Sequence, residues 1–594
     1  MSDAPKLTHI RVDDLPLLLG VLMQMGIPQI YNQVIGDHGL HTGLSGGWML
    51  TIWIAFILSQ ADHTKYKVEA WVARHQQLIE RVTGQVIVPS EFNDNRLSSL
   101  LSRLSQEERW ERFEAALWQH SVKVYELARP SVGELGSAHV DSTTACGHHT
   151  PHEGGLMQRG HSKDHRPDLA QLKLMTVAVH PHGHLAATQV TSGNTADDGL
   201  YLPIIARVRK LFGRVGVLYV GDAKMAALRT RAEIARAGDY YLTVAPMTGE
   251  TARDFPAWIE AVLSGKQPTL ALSNEAGETI GRGYELVREC TAELPTGKDG
   301  ATEPFTFSER VQIFRSEALA AQQAATLDKR LESAAADVRK LTPEPGRGRR
   351  QHRDEASLQA AIHQTMEKHR VEGLLRVKWT VKEQREQRYV GRGRGGATRE
   401  QREVVTRRYQ ITGVKCDEKA IAAKVARLGW RVQLSNAPSS LSLQASVAHY
   451  RENWRGERNY HRLKSEPVGI DAIYVRNDDQ IAGLTYVLTL AARVESVIEY
   501  QVARGLKEES KQMKGLYAGL PQKATATPTA VAMLSAISRA EITLTQVEWH
   551  SDKTTHLTPL PELLLDVLRY LHLPESLYTG LKSNSVFDIS IFGK

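Results

Sequence analysis

SAHVDST (137–143), QLKLMTVAVH (171–180), HLAATQVT (184–191), GVLYVGD (216–222) and DYYLTVAP (239–246) are the runs whose order decides the fold. Each is short and rich in β-branched or apolar residues, which reads as strand, and PHG between the second and third makes those two a hairpin. Helical apolar spacing fills Gly199 to Phe212 and Lys224 to Ala237, so the order is βββαβαβ. Asp141 sits in the first strand, at its end or centre, and Asp222 closes the fourth.

Carboxylates at those two places of an α/β core give the layout of a ribonuclease-H-like fold, by fold analogy. Working outward, DDLPLLLGVLMQMGI (13–27), WMLTIWIAFIL (48–58) and NRLSSLLSRLSQEERWERFEAALWQHSV (95–122) carry apolar residues at three and four, so an all-helical N-terminal domain is expected over 1–130. The α/β core begins over 131–246. Residues 247–436 are heterogeneous, with strand-like YELVREC, LRVKWTV and RRYQITGV, a charged helical stretch around Leu327 to Leu341, and Gly/Arg-rich EPGRGRR and VGRGRGGATR. They read as a β-rich α+β insertion. The core resumes over 437–510 with helices at Ser440 to Glu466 and Gln480 to Arg504, and a helical C-terminal tail, a candidate dimer interface, fills 511–594.

The composition sets bounds. At 594 residues the chain exceeds what one core organises, and its net charge of +7 suits an acidic partner without naming one. Cys146, Cys290 and Cys416 have no CxxC spacing, so neither a disulfide framework nor a cysteine zinc site is expected, and a reducing cytoplasm is the simplest home. The acidic N-terminus is unlike a signal peptide, and the run Gly47 to Ser59 is too short for a bilayer, so no membrane is expected.

Phosphodiester chemistry with two divalent ions needs carboxylates that converge from distant segments. Asp141 in HVDSTT and Asp222 in VLYVGDAKMAAL are the first two candidates, although an Asp ending a strand also caps turns and one at a strand–helix junction also caps helices. For the third, YRENWRGERNYHRLK (450–464) is read as helix. At 100° per residue Tyr450, Asn453, Glu457, His461 and Lys464 fall within about 80°, with Glu452 nearly opposite. A solvated charged helix face is the alternative.

The spacing Tyr450, Asn453, Glu457, Lys464 resembles the Tyr-Arg-Glu-Lys signature of insertion-sequence DDE transposases in the IS-four superfamily, with Asn453 departing at the Arg position. GHSKDHRPDLAQLKL, SGNTADD, VGDAKM and, upstream, FNDNRLSSLLSRL look like its IS-sixteen-thirty-four branch, and the likeness runs to about Arg504. The resemblance implies a ribonuclease-H-like core interrupted by an insertion before the glutamate helix. It implies Asp141, Asp222 and Glu457 as catalytic ligands of two Mg2+ ions, with Mn2+ as a substitute. Tyr450 and Lys464 would contact phosphates, with Asn453, Arg451 and Arg455 as further contacts. The activity implied is cut-and-paste transposition: cleavage at the terminal inverted repeats of a bacterial insertion sequence, then strand transfer, on double-stranded DNA bound by a homodimer near the nucleoid. The alternative is a degenerate or domesticated protein that binds DNA without cutting it.

The His148 to Asp168 stretch fits no zinc spacing, and Lys163 and Arg166 in it are expected near scissile DNA. Arg347 to Arg350 and Arg392 to Arg408 are either phosphate-tracking or solvated, with Trp379 and Tyr389 as stacking candidates. GRGRGG is not framed by strand and helix, so it is no nucleotide fingerprint.

Overall fold

Apolar residues at helical spacing fold the N-terminal region of the computed structural model, but a strand comes first. The structure describes residues 6–588 apart from 38, 40–41, 128–136, 275, 298–299, 345, 347–348, 350, 353, 392–398, 452–453, 472, 551 and 584–586. The chain divides into two compact units, Met1–Thr243 with Glu289–Glu309 and Ser435–Lys594, and Val244–Arg288 with Arg310–Leu434.

The first unit opens with β1 (Lys6–Arg11) and continues through α1 (Leu15–Gln24), α2 (Ile27–Val34), α3 (Gly46–Gln60), α4 (Lys65–Thr83), α5 (Asp94–Leu104) and α6 (Glu107–Val124). Buried Trp53, Trp71, Trp110 and Phe113 fill this region. Then come β2 (Ser137–Gly147), β3 (Ala170–Val179), β4 (His184–Ser192), α7 (Tyr201–Phe212), β5 (Leu218–Gly221), α8 (Leu228–Arg236) and β6 (Tyr240–Val244). The order is the βββαβαβ read from the sequence. In space the strands run β4-β3-β2-β5-β6. β3 is antiparallel to β2 and β4, while β5 is parallel to both β2 and β6. That mixed arrangement follows from the connections: a tight turn makes the β3–β4 hairpin, and helical crossovers deliver the parallel strands.

The second unit holds α9 (Gly249–Leu263), β7 (Leu270–Ser273), most of β8 (Thr279–Pro295) and half of β9 (Thr302–Ser316). It continues with α10 (Glu317–Lys340), α11 (Glu355–His369), β10 (Leu375–Tyr389), β11 (Gln401–Cys416), α12 (Glu418–Ala426) and β12 (Trp430–Ser435). Its core is a cluster around Leu327, Leu331, Val338, Leu358 and Ile362, on which Leu375 and Tyr409 close. The far ends of β8 and β9 fall in the first unit, where Glu309 accepts from Arg231 and from the Tyr241 hydroxyl (2.6 Å).

The first unit resumes with α13 (Leu443–Arg451), α14 (Trp454–Lys464), α15 (Asp478–Glu508), α16 (Ala530–Arg539), β13 (Thr543–Trp549), β14 (Asp552–Leu557), α17 (Glu562–Tyr570) and α18 (Ser576–Thr579). By length and composition α15 is apolar enough to cross a membrane, but 94% of its most apolar window is buried inside the protein. It is a core helix: Tyr486 stacks on Trp110 at 4.2 Å, and Gly483 lies so close to α5 that a Cβ there would stand 2.1 Å from the Leu101 carbonyl.

One expectation is corrected. The N-terminal region is not all-helical and the C-terminal tail is not wholly helical, because β1, β13 and β14 form a three-stranded antiparallel sheet joining the two ends of the chain. TLTQVEW and DKTTHL are threonine-rich, which favours a half-buried pleat, and Leu544 and Gln546 alternate inward. Over 440–466, expected as helix, α13 and α14 lie on either side of residues 452 and 453, which are outside the described set.

Candidate active site

Asp141 lies in the middle of the eleven-residue β2, which runs on beside β3 after β5 has ended. In the parallel register Val140 faces Gly221, so Asp141 and Asp222 are each the next residue along neighbouring strands. Adjacent strands stand about 4.8 Å apart, which puts the two aspartates side by side. The Asp141 carboxylate accepts from the Ser142 amide (2.7 Å) and faces the Lys163 ammonium at 3.7 Å. Burial pushes its pKa up to about 6. Lys163 and the amide pull it down, and Asp222 and Glu457 push it up again. Both other carboxylates therefore act electrostatically on Asp141.

Asp222 is held from three directions. Its Oδ1 accepts from the Tyr201 hydroxyl (2.6 Å) and the Lys224 amide (2.8 Å), and its carbonyl accepts from Thr243 Oγ1 (2.6 Å). The helix-cap alternative fails, because α8 starts at Leu228 with Ala227 at its N-cap. Sequence patterning does not find Tyr201. It heads α7, and its phenol is raised by burial and by Asp222.

Glu457 is exposed on α14, and the same helix turns Asn459, Tyr460 and Leu463 inward. The Tyr460 hydroxyl bonds Thr176 Oγ1 at 2.8 Å, and Thr176 is the residue directly across from Asp141 on β3. One turn of helix separates Tyr460 from Glu457, so this bond sets the glutamate over the Asp141 side of the sheet. Asn459 donates to the Gly183 carbonyl (2.8 Å), and Arg458 and Arg462 both pair with Glu499 of α15, fixing the opposite flank.

The remaining candidates divide. Lys163 Nζ donates to the Ser142 carbonyl (2.5 Å) and hydroxyl (2.7 Å), which places it at the aspartates. Lys464 pairs with Asp164, whose second oxygen accepts from Thr144 Oγ1 at 3.0 Å. Arg166 is exposed and grips Asp168 through two bonds of 2.9 and 2.8 Å. The Tyr450 ring packs against a small cluster with Leu218, Val220 and Leu441, and Arg451 is exposed at the end of α13. Asn453 lies outside the described residues, as does the side chain of Arg455.

All three acids offer hard oxygen donors, the chemistry that divalent magnesium or manganese accepts. Among the described residues no group of three or more His, Cys, Asp or Glu is drawn together tightly enough to hold a metal ion, and this includes the triad and the histidine-rich stretch. What the fold supplies is an adjacent aspartate pair with a glutamate on a helix docked across the same strands.

No family model matches the chain, and no curated protein matches it. Among solved structures it is similar to a piggyBac transposase, in the cryo-EM structure of the synaptic complex with hairpin DNA. The identity is 8% and the TM-score 0.33, with 96% of this chain and 86% of that chain covered. At that TM-score the likeness assigns neither fold nor activity.

Proposed function

We propose that this chain is a DNA transposase of the DDE type, with a ribonuclease-H-like core in the first unit and Asp141, Asp222 and Glu457 as the catalytic carboxylates. The observation that carries this reading is the register of β2 and β5, which sets Asp141 beside Asp222, together with the Tyr460–Thr176 bond that lays the glutamate helix over them. The insertion-sequence signature Tyr450, Glu457, Lys464 supports it from the sequence side.

In this reading Asp141, Asp222 and Glu457, which do not by themselves close into a metal site, would be the ligands of two Mg2+ ions, or Mn2+, which would supply charge neutralisation at the scissile phosphate. The protein's own groups position. Tyr201 and the Lys224 amide orient Asp222, while Lys163 steadies Asp141 and presents a cation at the same place. α14 aims Glu457. Phosphoryl transfer asks mainly for such positioning and for stabilised charge, so no covalent enzyme nucleophile is assigned. The DNA substrate is the pair of element ends and then a target duplex. The homodimer and a nucleoid location belong to the same proposal.

The test is cleavage of a labelled duplex carrying the termini that flank the gene, with Mg2+ or Mn2+ and with a chelator control. The comparison is wild type, Asp141→Asn, Glu457→Ala and, as a surface control, Glu508→Ala. Loss of cleavage with retained DNA binding in the first two variants alone is expected. Equal activity in all would refute the triad. DNA binding without cleavage even in the wild type would favour the non-cutting DNA-binding protein.

A further inference from the structure

The β10–β11 ribbon of the second unit has two chemically different faces. Its register pairs Leu375 with Cys416, Val377 with Val414, Trp379 with Ile411 and Val381 with Tyr409, and Leu375, Val377, Trp379, Tyr409, Ile411 and Val414 join the core built on α10 and α11. Side chains alternate along a strand, and directly paired residues share a face. The other face is therefore turned away from that core over the whole ribbon. Along it the register sets Arg376 across from Lys415, Lys382 across from Arg408, and Arg388 across from Arg402, with Lys378 between the first two pairs. Seven cations stand there against one acid, Glu386.

Like charges directly opposite one another destabilise a ladder, and this face carries three such pairs. Arg376 and Arg388 have carboxylate neighbours in Asp417 and Glu386, and Arg408 is covered, donating to Gln351, to the Pro343 carbonyl and to Glu344. Lys378, Lys382, Arg402 and Lys415 have no ion pair or side-chain hydrogen bond among the described residues. The core-side face beyond the helices is balanced instead: Glu383 pairs with Arg407 at 2.8 Å, and Arg385 reaches Glu403 at 3.6 Å. The asymmetry belongs to the ribbon and is not a general basic excess.

We propose that this outward face is a duplex-DNA-binding arm, its cations lying on backbone phosphates, a step that rests on the transposase reading above. The like-charge pairs recur every six residues, roughly 20 Å apart along the strands, so the face from Arg376 to Arg388 spans roughly 40 Å, about one turn of the double helix. A two-stranded antiparallel ribbon also fits the major groove, and a polyanion meets Lys378, Lys382, Arg402 and Lys415, the cations of this face that no acid of the described residues pairs. Tyr389 is exposed at the outer end of the core-side face, whereas Trp379 is half-buried against the helices and serves packing.

The experiment uses the full chain and a generic labelled duplex of about 30 base pairs, with binding followed by fluorescence anisotropy from about 50 to about 200 mM KCl. The outward-face variant is Lys378→Gln with Lys382→Gln and Arg402→Gln. The control carries Arg385→Gln with Arg407→Gln on the other face. Each phosphate contact contributes about 0.9 to the slope of log affinity against log salt, so the outward variant should lose about 2 to 3 from that slope and bind at least about tenfold more weakly, with the control unchanged. All five side chains are solvent-facing, so an unaltered melting midpoint is the expected fold check. A slope equal to wild type in the outward variant overturns the proposal. A loss seen on RNA of the same length but not on DNA does so too, in favour of an RNA partner. Failure of the active-site reading shows separately: the chain would bind through this face and never cleave.

Discussion

Glu495 offers the sharpest thermodynamic test of the packing behind the glutamate helix. It sits on α15, fully buried, with neither carboxylate oxygen hydrogen-bonded among the described residues. Burial pushes its pKa up to about 8. Arg462 and Arg458 pull it down and Glu499 pushes it up, but both arginines are committed to Glu499. In the folded chain at neutral pH it is therefore a neutral acid. In the unfolded chain it titrates near 4.5. Between those two values the folded state holds a proton that the unfolded state has released, so stability falls as pH rises through the window from about 4.5 to about 8 and is flat above it. The displacement of about 3.5 units, at 1.36 kcal/mol each, caps the cost near 5 kcal/mol. Glu495→Gln keeps the shape and removes the titration. Urea midpoints followed by tryptophan fluorescence at acid, neutral and alkaline pH should show the variant's advantage growing from acid to about pH 8 and then holding level. The amide's own hydrogen-bonding deficit shifts all points equally and does not touch that slope. An advantage that is constant with pH, or largest in acid, would refute the reasoning.

Two further outcomes follow from the contacts around the site. Glu114, buried on α6, takes Arg493, Arg207 and both the amide (3.1 Å) and hydroxyl (2.8 Å) of Thr188. Glu114→Ala strands the buried Arg493 and should cost about 3 to 5 kcal/mol in a denaturant melt, while Glu114→Leu with Arg493→Met should recover most of it; equal losses in both would show that the ion pair is not the cause. Tyr460→Phe deletes one buried hydrogen bond to Thr176, so about 1 kcal/mol of stability should go together with a larger, roughly tenfold fall in cleavage rate at unchanged DNA affinity; a rate that tracks wild type would mean that α14 is placed by other contacts.

The fold was legible where periodicity and length agreed. β2 through β6 with α7 and α8 follow the sequence pattern because their apolar runs are separated by clear turns and glycines. It was illegible where pairing is non-local. KLTHIR becomes a strand because TLTQVEW, more than five hundred residues later, offers its edge, and no local signal in either run names the other. The helices around them were visible only as helices. That α15 threads the core, with Tyr486 on Trp110 and Gly483 against Leu101, is a fact of packing between segments that share no motif.

The candidate site divides by the same rule. Asp222 stands directly after an apolar run and Asp141 within a short strand, which makes both candidates from the sequence, but the residues that hold them are scattered. Tyr201 comes from the head of α7, Thr176 from β3 and Lys163 from a loop, and each looks ordinary in its own stretch. Glu457, His461 and Lys464 share α14, and Tyr450 lies in α13, before residues 452 and 453, which are outside the described set. What no wheel or motif displays is the electrostatic arrangement. Asp141 is largely buried and opposed by two further carboxylates, with Lys163 as its nearest compensating cation. A fold that confines that much negative charge at the junction of β2 and β5 is costly until cations join it. The outward face of β10 and β11 shows the opposite imbalance, with seven cations met by three acids, Asp417, Glu386 and Glu344. In the function proposed above, divalent cations would relieve the first and a phosphate backbone the second.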